Sequence, residues 1–391
     1  MTAPAAPAPA RVAARRLADY GQPAVDAAVA AALDSLGPPA LPRGGRILLK
    51  PNLLSASRGP EEAVNTRAEV VLAVGRYLKE KFAARLVIAD SGGIGAHSRT
   101  ERAFRNMGLV EAAAALGAEL VNLETHGLME VESHRGVVLR RFQATRLLAE
   151  VDAVVNLPKL KTHMLTRITG AVKNCLGLLP GALKRDVHVI APTGELLAQA
   201  MVDICAAVRP ALHVMDAVVG MEGAGPSRGR PRQVGWLLAS TDPVALDAAA
   251  ARIMGLAPPA VPIIALAARA GLGEADPSRI ELTGAAWSQL PAPGYKPAFN
   301  RLMAALFAIT PRGPAGRALK LLADSKPILV PKGCRACGLC VEGCPAGALV
   351  LEEGRLSLAR DRCIECYCCL EHCPAEGLRA PRGLLDRLRR R

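Results

Sequence analysis

Cys334-Arg-Ala-Cys337-Gly-Leu-Cys340-Val-Glu-Gly-Cys344-Pro345 and Cys363-Ile-Glu-Cys366-Tyr-Cys-Cys369-Leu-Glu-His-Cys373-Pro374 repeat one spacing near the end of a 391-residue chain. Cysteines three apart in a tight loop bring three thiols to one small inorganic core, and a fourth must come from elsewhere. A zinc ribbon also uses C-x2-C pairs, but it closes one tetrahedral site with two of them and gives no reason for the third Cys or the trailing Pro. A disulfide framework would need an oxidising compartment, and the N-terminal Met1-Thr-Ala-Pro-Ala-Ala-Pro-Ala-Pro-Ala lacks the basic start and apolar core of a secretion signal.

The doubled motif resembles a two-cluster ferredoxin module of the 2x(4Fe-4S) type, over residues 329 to 381. In that run the last Cys of each motif ligates the other cluster. The resemblance therefore implies two 4Fe-4S clusters, one held by Cys334, Cys337, Cys340 and Cys373 and its partner by Cys363, Cys366, Cys369 and Cys344. All eight are then metal ligands, and each cluster staples the two motifs together. Cys368 lies beside Cys369, and only Cys369 preserves both gaps of the motif, so Cys368 reads as a non-ligand thiol.

A module of about 50 residues leaves roughly 330 for a separate core. Apolar residues make up 51% of the chain but aromatics only 3%, so that core is expected to be aliphatic. The formal charge is +14. Two oxidised clusters, at about −2 each, bring it to roughly +10, a field that attracts an acidic redox partner protein or an anionic small molecule. The basic end, Arg387-Leu-Arg-Arg-Arg391, is read as a solvated tail. No recognised nucleic-acid motif accompanies it, so nucleic acid is not an expected partner. The apolar stretches 253–268 and 302–310 are broken by prolines or too short to span a bilayer. A cytoplasmic protein without a membrane span is expected.

Upstream, Arg46-Ile-Leu-Leu-Lys-Pro-Asn52 reads as a strand followed by a turn, with a helix over 66–82 and a second strand at Arg85-Leu-Val-Ile-Ala-Asp90. A glycine loop, Ser91-Gly-Gly-Ile-Gly-Ala-His97, and another helical segment follow. Further strands are expected at 152–156, 212–219 and 234–239. Aliphatic strands alternating with helices imply an α/β fold, a largely parallel sheet with helices on both faces, beside a small C-terminal α+β dicluster domain. The expected layout is a leader and first helix (1–40), the α/β domain (41–287), a linker with a packing helix at 298–309 (288–328), the ferredoxin domain (329–381) and the basic tail (382–391). The apolar linker helix suggests a docked module rather than a swinging one.

Lys50-Pro-Asn-Leu-Leu, Val154-Val-Asn-Leu-Pro-Lys-Leu-Lys-Thr-His163, Gly170-Ala-Val-Lys-Asn-Cys-Leu-Gly177 and Gly220-Met-Glu-Gly-Ala-Gly-Pro226 resemble the signature of the domain-of-unknown-function family 362. Its members are described as iron-sulfur-centre proteins, and many carry this C-terminal pair of motifs. The resemblance implies the domain layout and brings no settled reaction.

Ligands of open α/β sheets sit beyond the carboxyl ends of the strands. There the sequence places Lys50 and Asn52, and, read as a loop, Asn156 through His163, with Arg167 and Lys173 beyond. A later strand is expected to feed a loop containing Asp216 and Glu222. Cations gathered at one strand end repel unless an anion, a carboxylate or solvent separates them. Lys159 and Lys161 are therefore expected to grip an anionic substrate while His163 moves a proton, with Lys50, Asn52, Asn156, Lys173 and Asp216 completing the crevice. The plain alternative is solvated lysines and a structural histidine. The expected function is single-electron transfer through the clusters to that substrate, as an oxidoreductase; the alternative is a non-catalytic carrier or assembly subunit docking a partner enzyme.

Overall fold

The run Arg46–Pro51 is apolar on both sides of the chain because this strand lies between neighbours with layers above and below it. Ile47 and Leu49 enter one core with Ile88 and Val155, while Leu48 turns to the other face with Val87, Ala89 and Val154. The structure, a computed structural model, describes residues 10–92, 98–298 and 326–381. In chain order the α/β part comprises β1 (Ala10–Arg16), α1 (Gln22–Leu36), β2 (Arg46–Pro51), α2 (Ala68–Phe82), β3 (Arg85–Asp90), α3 (Ser98–Asn106), α4 (Leu109–Leu116) and β4 (Glu119–Asn122). A hairpin follows, β5 (Leu128–Glu132) and β6 (Arg141–Thr145), then β7 (Ala153–Leu157), β8 (Lys159–His163), β9 (Arg167–Thr169), α5 (Ala171–Asn174), α6 (Leu183–Ile190) and α7 (Gly194–Val208). The part closes with β10 (Leu212–Glu222), β11 (Arg230–Ser240), α8 (Pro243–Ile253), α9 (Pro262–Arg269) and β12 (Ile280–Thr283).

The main sheet runs β12-β1-β11-β10-β7-β2-β3-β4, with β8 beside β10 and β9 beside β8. Pairing is parallel from β10 through β7, β2 and β3 to β4, and antiparallel where β11 meets β10 and β1. Helices α1, α2 and α4 cover one face, and α5, α7, α8 and α9 the other. Local chemistry sets the helix starts. At α8, Asp242 accepts from the backbone N–H groups of Val244 and Ala245, and Pro243 fills the first turn.

Three expectations change. Ala10–Arg16, expected as leader, forms β1 inside the sheet between β11 and β12. Lys159–His163, read as a loop, is strand β8. Pro158 interrupts the chain after β7, and pairing resumes one residue later, with Lys159 opposite Asp216 and Lys161 opposite Met221. Asp216 is consequently mid-strand, because β10 continues to Glu222 where a loop was expected. The linker helix expected at 298–309, beyond its first residue, the glycine loop beyond Gly92, and the basic tail lie outside the described residues.

The C-terminal part holds β13 (Ile328–Leu329), α10 (Leu339–Glu342), β14 (Leu349–Glu352), β15 (Arg355–Leu358), α11 (Cys368–His372) and β16 (Leu378–Arg379). It is docked on the α/β part. Met164 is buried against Tyr367, Leu370 and Leu378. Arg228 donates to the carbonyl oxygens of Ala375 and Leu378, and Arg99 pairs with Glu342 at 3.0 Å. Among the described residues, no helix is long and apolar enough to cross a membrane.

Candidate functional site

Strand order reverses at β2, with β7 on one side and β3 on the other, so the crevice at their carboxyl ends is the topological switch point of the sheet. Lys50 and Asn156 are register partners there. The crevice closes into a cavity of about 70 Å³ walled by five lysines: Lys50, Lys159, Lys161, Lys173 and Lys184. Gly177 has to be glycine, since a Cβ at that position would collide with the Lys50 ammonium and the Asp90 carboxylate.

Two of the five are neutralised within the fold. Lys50 pairs with Asp90 at 3.0 Å, and Asp90 is held by the backbone N–H groups of Leu53 and Ser91. Lys159 on β8 pairs with Asp216 on β10 at 2.6 Å, both side chains fully buried. The Tyr20 hydroxyl joins that pair, donating to Asp216 at 2.7 Å and accepting from Lys159 at 2.9 Å. Burial and the adjacent Asp216 push this phenol far above its ordinary range.

The other three have no carboxylate hydrogen-bonded to them among the described residues. Lys161, 1% exposed, donates only to the Val64 carbonyl, at 2.8 Å. Lys184 donates to the carbonyls of Ser91 and Gly92 at 2.7 and 2.6 Å. Lys173 has no hydrogen-bond partner among the described residues. Burial lowers the pKa of all three; Lys161 is further depressed by Lys173, and Lys184 comes down to about 8. Burial also lowers Lys159, offset in part by Asp216. Buried and half-buried cations with surplus donors and no carboxylate hydrogen-bonded to them are what an anion site requires.

The remaining expected residues divide. Asn52 lines the cavity and donates to the Val64 carbonyl at 2.9 Å. Asn156 lies behind the wall, bonded to the Ala171 carbonyl, to His213 Nδ1 and, as acceptor, to Asn174. Asp216 acts through Lys159, and Glu222 is occupied by Arg232 and the Lys296 N–H. Arg167 turns away to the Ala260 carbonyl. Cys175 is fully buried in the aliphatic core.

His163 does not line the lysine cavity. Its Nδ1 accepts from the backbone N–H groups of Leu165 and Thr166, at 3.2 Å each, which leaves the ring proton on Nε2. That nitrogen faces Glu371 of α11 at 3.6 Å. Burial, then Lys173, brings the imidazole down to about 4, which favours an uncharged ring bridging to the C-terminal module. Burial would raise the Glu371 carboxyl, but His163 and Lys173 outweigh it and hold it at about 2. Sequence reasoning missed Lys184, Tyr20 and Glu371. Lys184 carries no local signal, and Glu371 sits inside the cysteine motif, where only sulfurs draw notice.

In the module, Cys344, Cys363, Cys366 and Cys369 wall one small cavity together with Tyr367 and Pro345. Cys340 has Cys373, Cys337 and Cys334 as its electrostatic neighbours, and burial with their charge pushes its thiol up to about 11. The thiols thus gather in two groups of four. Four thiols converging in an apolar, Tyr-lined hollow fit a thiolate-ligated cluster. Cys368 is buried and donates to the Cys366 sulfur.

Residues 47–252 match the model of a family described as Domain of unknown function (DUF362), and residues 333–378 match that of a 4Fe-4S dicluster domain. Among curated proteins, the thylakoid-associated protein sll1697 of Synechocystis sp. is 34% identical over 241 residues, which cover 61% of this chain and 71% of that protein. Among solved structures, the lactate racemase apoprotein of Thermoanaerobacterium thermosaccharolyticum aligns with 60% of this chain at 12% identity and a TM-score of 0.37; the chain covers 54% of that protein's length.

Proposed function

The chain belongs to the DUF362 family, and from that premise we propose that it is an iron-sulfur oxidoreductase whose substrate is a small anion bound in the lysine cavity. The observation that carries this reading is the surplus of buried ammonium groups beside the cluster module: Lys173 feels both Glu371 and Cys368 of α11. Lys161, Lys173 and Lys184 grip the anion. Lys50 and Lys159, fixed by Asp90 and Asp216, shape the pocket, and Asn52 and Asn156 hold its walls. His163 positions α11 through Glu371.

Cys334, Cys337, Cys340 and Cys373 would hold one 4Fe-4S cluster, and Cys363, Cys366, Cys369 and Cys344 the other. Bound there, the clusters would exchange single electrons with a redox partner protein on one side and the substrate on the other. A carrier or assembly role without chemistry leaves the uncompensated lysines without a task. Ligand thiols need a reducing compartment, and we place the protein in the cytoplasm on that ground; fractionation finding it bound to membranes would change that assignment.

The test is oxygen-free purification, iron and sulfide analysis, and EPR of the reduced protein with and without added anion. Iron and sulfide near eight each, with spectra that shift on anion addition in wild type and not in Lys161→Met/Lys173→Met, support the reading. Identical anion responses in wild type and the double variant would remove the cavity from it.

A further inference from the structure

The lysine cavity is too small for an organic substrate. At about 70 Å³ it holds a few waters, or one oxyanion group. Sites for organic ligands run to roughly 300–1,000 Å³. Next to it lies a chamber of about 270 Å³ that shares the Leu54 and Gly92 walls. Cys373 and Pro374 of the cluster module form its far side. That chamber in turn shares Arg58, Ser227 and Pro374 with a wide surface cleft of about 610 Å³, where Cys334 is part of the lining.

We propose that these three spaces form one site for an organic dianion, with the charged group of a phosphate monoester in the lysine cavity and the organic body in the chamber against Cys373 and Pro374. This rests on the reading of the lysine cavity as an anion site and adds the class of molecule that fills it. Charge sets the headgroup. Lys161 and Lys173 have Glu371 near them and Lys184 has Asp90 and Glu124, but Asp90 is already paired with Lys50. None of the three is hydrogen-bonded to a carboxylate among the described residues, so three ammonium donors suit a doubly charged headgroup better than a singly charged one.

The chamber walls suit the body. Leu54, Ala56 and Leu339 give it apolar surface, and Arg102, which has no carboxylate partner among the described residues, marks its outer edge. The cleft leading in carries Arg58, Arg228, Lys332 and Arg335 against Glu62 and Glu376. Such a cationic approach concentrates anions before they reach the inner lysines. The same geometry brings the body alongside cysteines of one set, Cys334 at the cleft and Cys373 at the chamber, so a bound molecule touches the module that the anion cavity alone does not reach.

Titration calorimetry on the oxygen-free, full-length holoprotein, with inorganic phosphate and phenyl phosphate as probes, tests this. Phenyl phosphate is expected to bind at least tenfold more tightly than phosphate. Ser57→Trp, which fills the chamber from an exposed position, should abolish that gain and leave phosphate affinity within twofold; Arg102→Ala should reduce the gain and keep the fold as an independent check. Equal affinities in wild type would overturn the proposal while leaving the anion site standing. A gain that survives both variants would also overturn it. Binding of neither probe would remove the parent reading with it.

Discussion

Raising the pH from 7 to 9 should strip the lysine cavity of its affinity for sulfate, a probe whose own charge is constant over that range. Burial brings the Lys184 ammonium from an ordinary value of 10.5 down to about 8, with Lys50 and Lys173 adding to the depression and Asp90 and Glu124 opposing it. A bound dianion restores the charged form, so the complex contains the protonated lysine. The sign follows. Affinity is fully present below pH 8 and is lost as the pH rises through the free protein's value. With a pKa of about 8, roughly nine-tenths of Lys184 is protonated at pH 7 and about one-tenth at pH 9, a loss near tenfold from this residue alone. Burial and Lys173 lower Lys161 in the same direction. Calorimetry in two buffers of different ionisation enthalpy should also register proton uptake on binding, about half a proton from Lys184 at pH 8. Lys184→Met should bind sulfate more weakly at pH 7 and lose its share of the slope. A flat profile in wild type, or an unchanged slope in Lys184→Met, refutes the reasoning.

Other expectations follow from single contacts. Asp216→Asn leaves Lys159 buried without its counter-charge, at a cost of about 3–5 kcal/mol. A melting temperature lower by roughly 10 °C is expected in oxygen-free calorimetry, and an unaltered melt would show that the pair is not a working ion pair. Cys344→Ser should lower iron from about eight to about four per chain while sparing the other thiol set; full iron content would contradict the crossed assignment. Cys368→Ala should keep all the iron but shift one reduction potential downward, since it removes the thiol that donates to Cys366. Arg228→Ala loses two charged donations to the carbonyls of Ala375 and Leu378, and amide exchange in β16 should speed up by at least about tenfold. Unchanged exchange would mean that the module is held elsewhere.

What the sequence shows depends on how local each feature is. The cysteine spacing is local, because one loop brings three thiols together, and in the structure the thiols gather in two groups of four. Lys50, Lys159, Lys161 and Lys173 are legible because they lie at or just beyond strand ends of a parallel sheet, and such ends converge. The role of His163 is not legible. Its protonation is fixed by backbone groups two and three residues on, which depend on how the chain turns between β8 and β9. Lys184 reaches the cavity only through the placement of α6, and Tyr20 reaches Lys159 and Asp216 only because β1 joins the sheet and α1 packs on it. Lys159–His163 carries a single apolar residue, Leu160, too little alternation to read as a strand, and Pro158 reads as a terminator. Pairing with β10 overrides that local signal, since Asp216 is the buried partner that Lys159 needs.

The distribution of carboxylates argues against a purely structural role for the lysines. If stability alone governed this crevice, apolar side chains of similar volume would serve as well or better than buried charges. Two lysines do have dedicated partners, so the fold is able to supply them. The three that lack them are adjacent to one another and line one cavity. Of the two further carboxylates nearby, Glu124 lies in the α/β part beside Lys184, whereas Glu371 comes from the cysteine module and acts on Lys161 and Lys173, so the charge around those two lysines is set only when the two parts are docked. That dependence makes the module part of the site's electrostatics although it does not line the cavity, and it predicts that loosening the interface at Arg228 should alter anion affinity at Lys161 and Lys173 before it alters the α/β core. Sulfate titrations of Arg228→Ala beside wild type check this; equal affinities, with exchange in β16 accelerated, would show that the cavity is complete without the module.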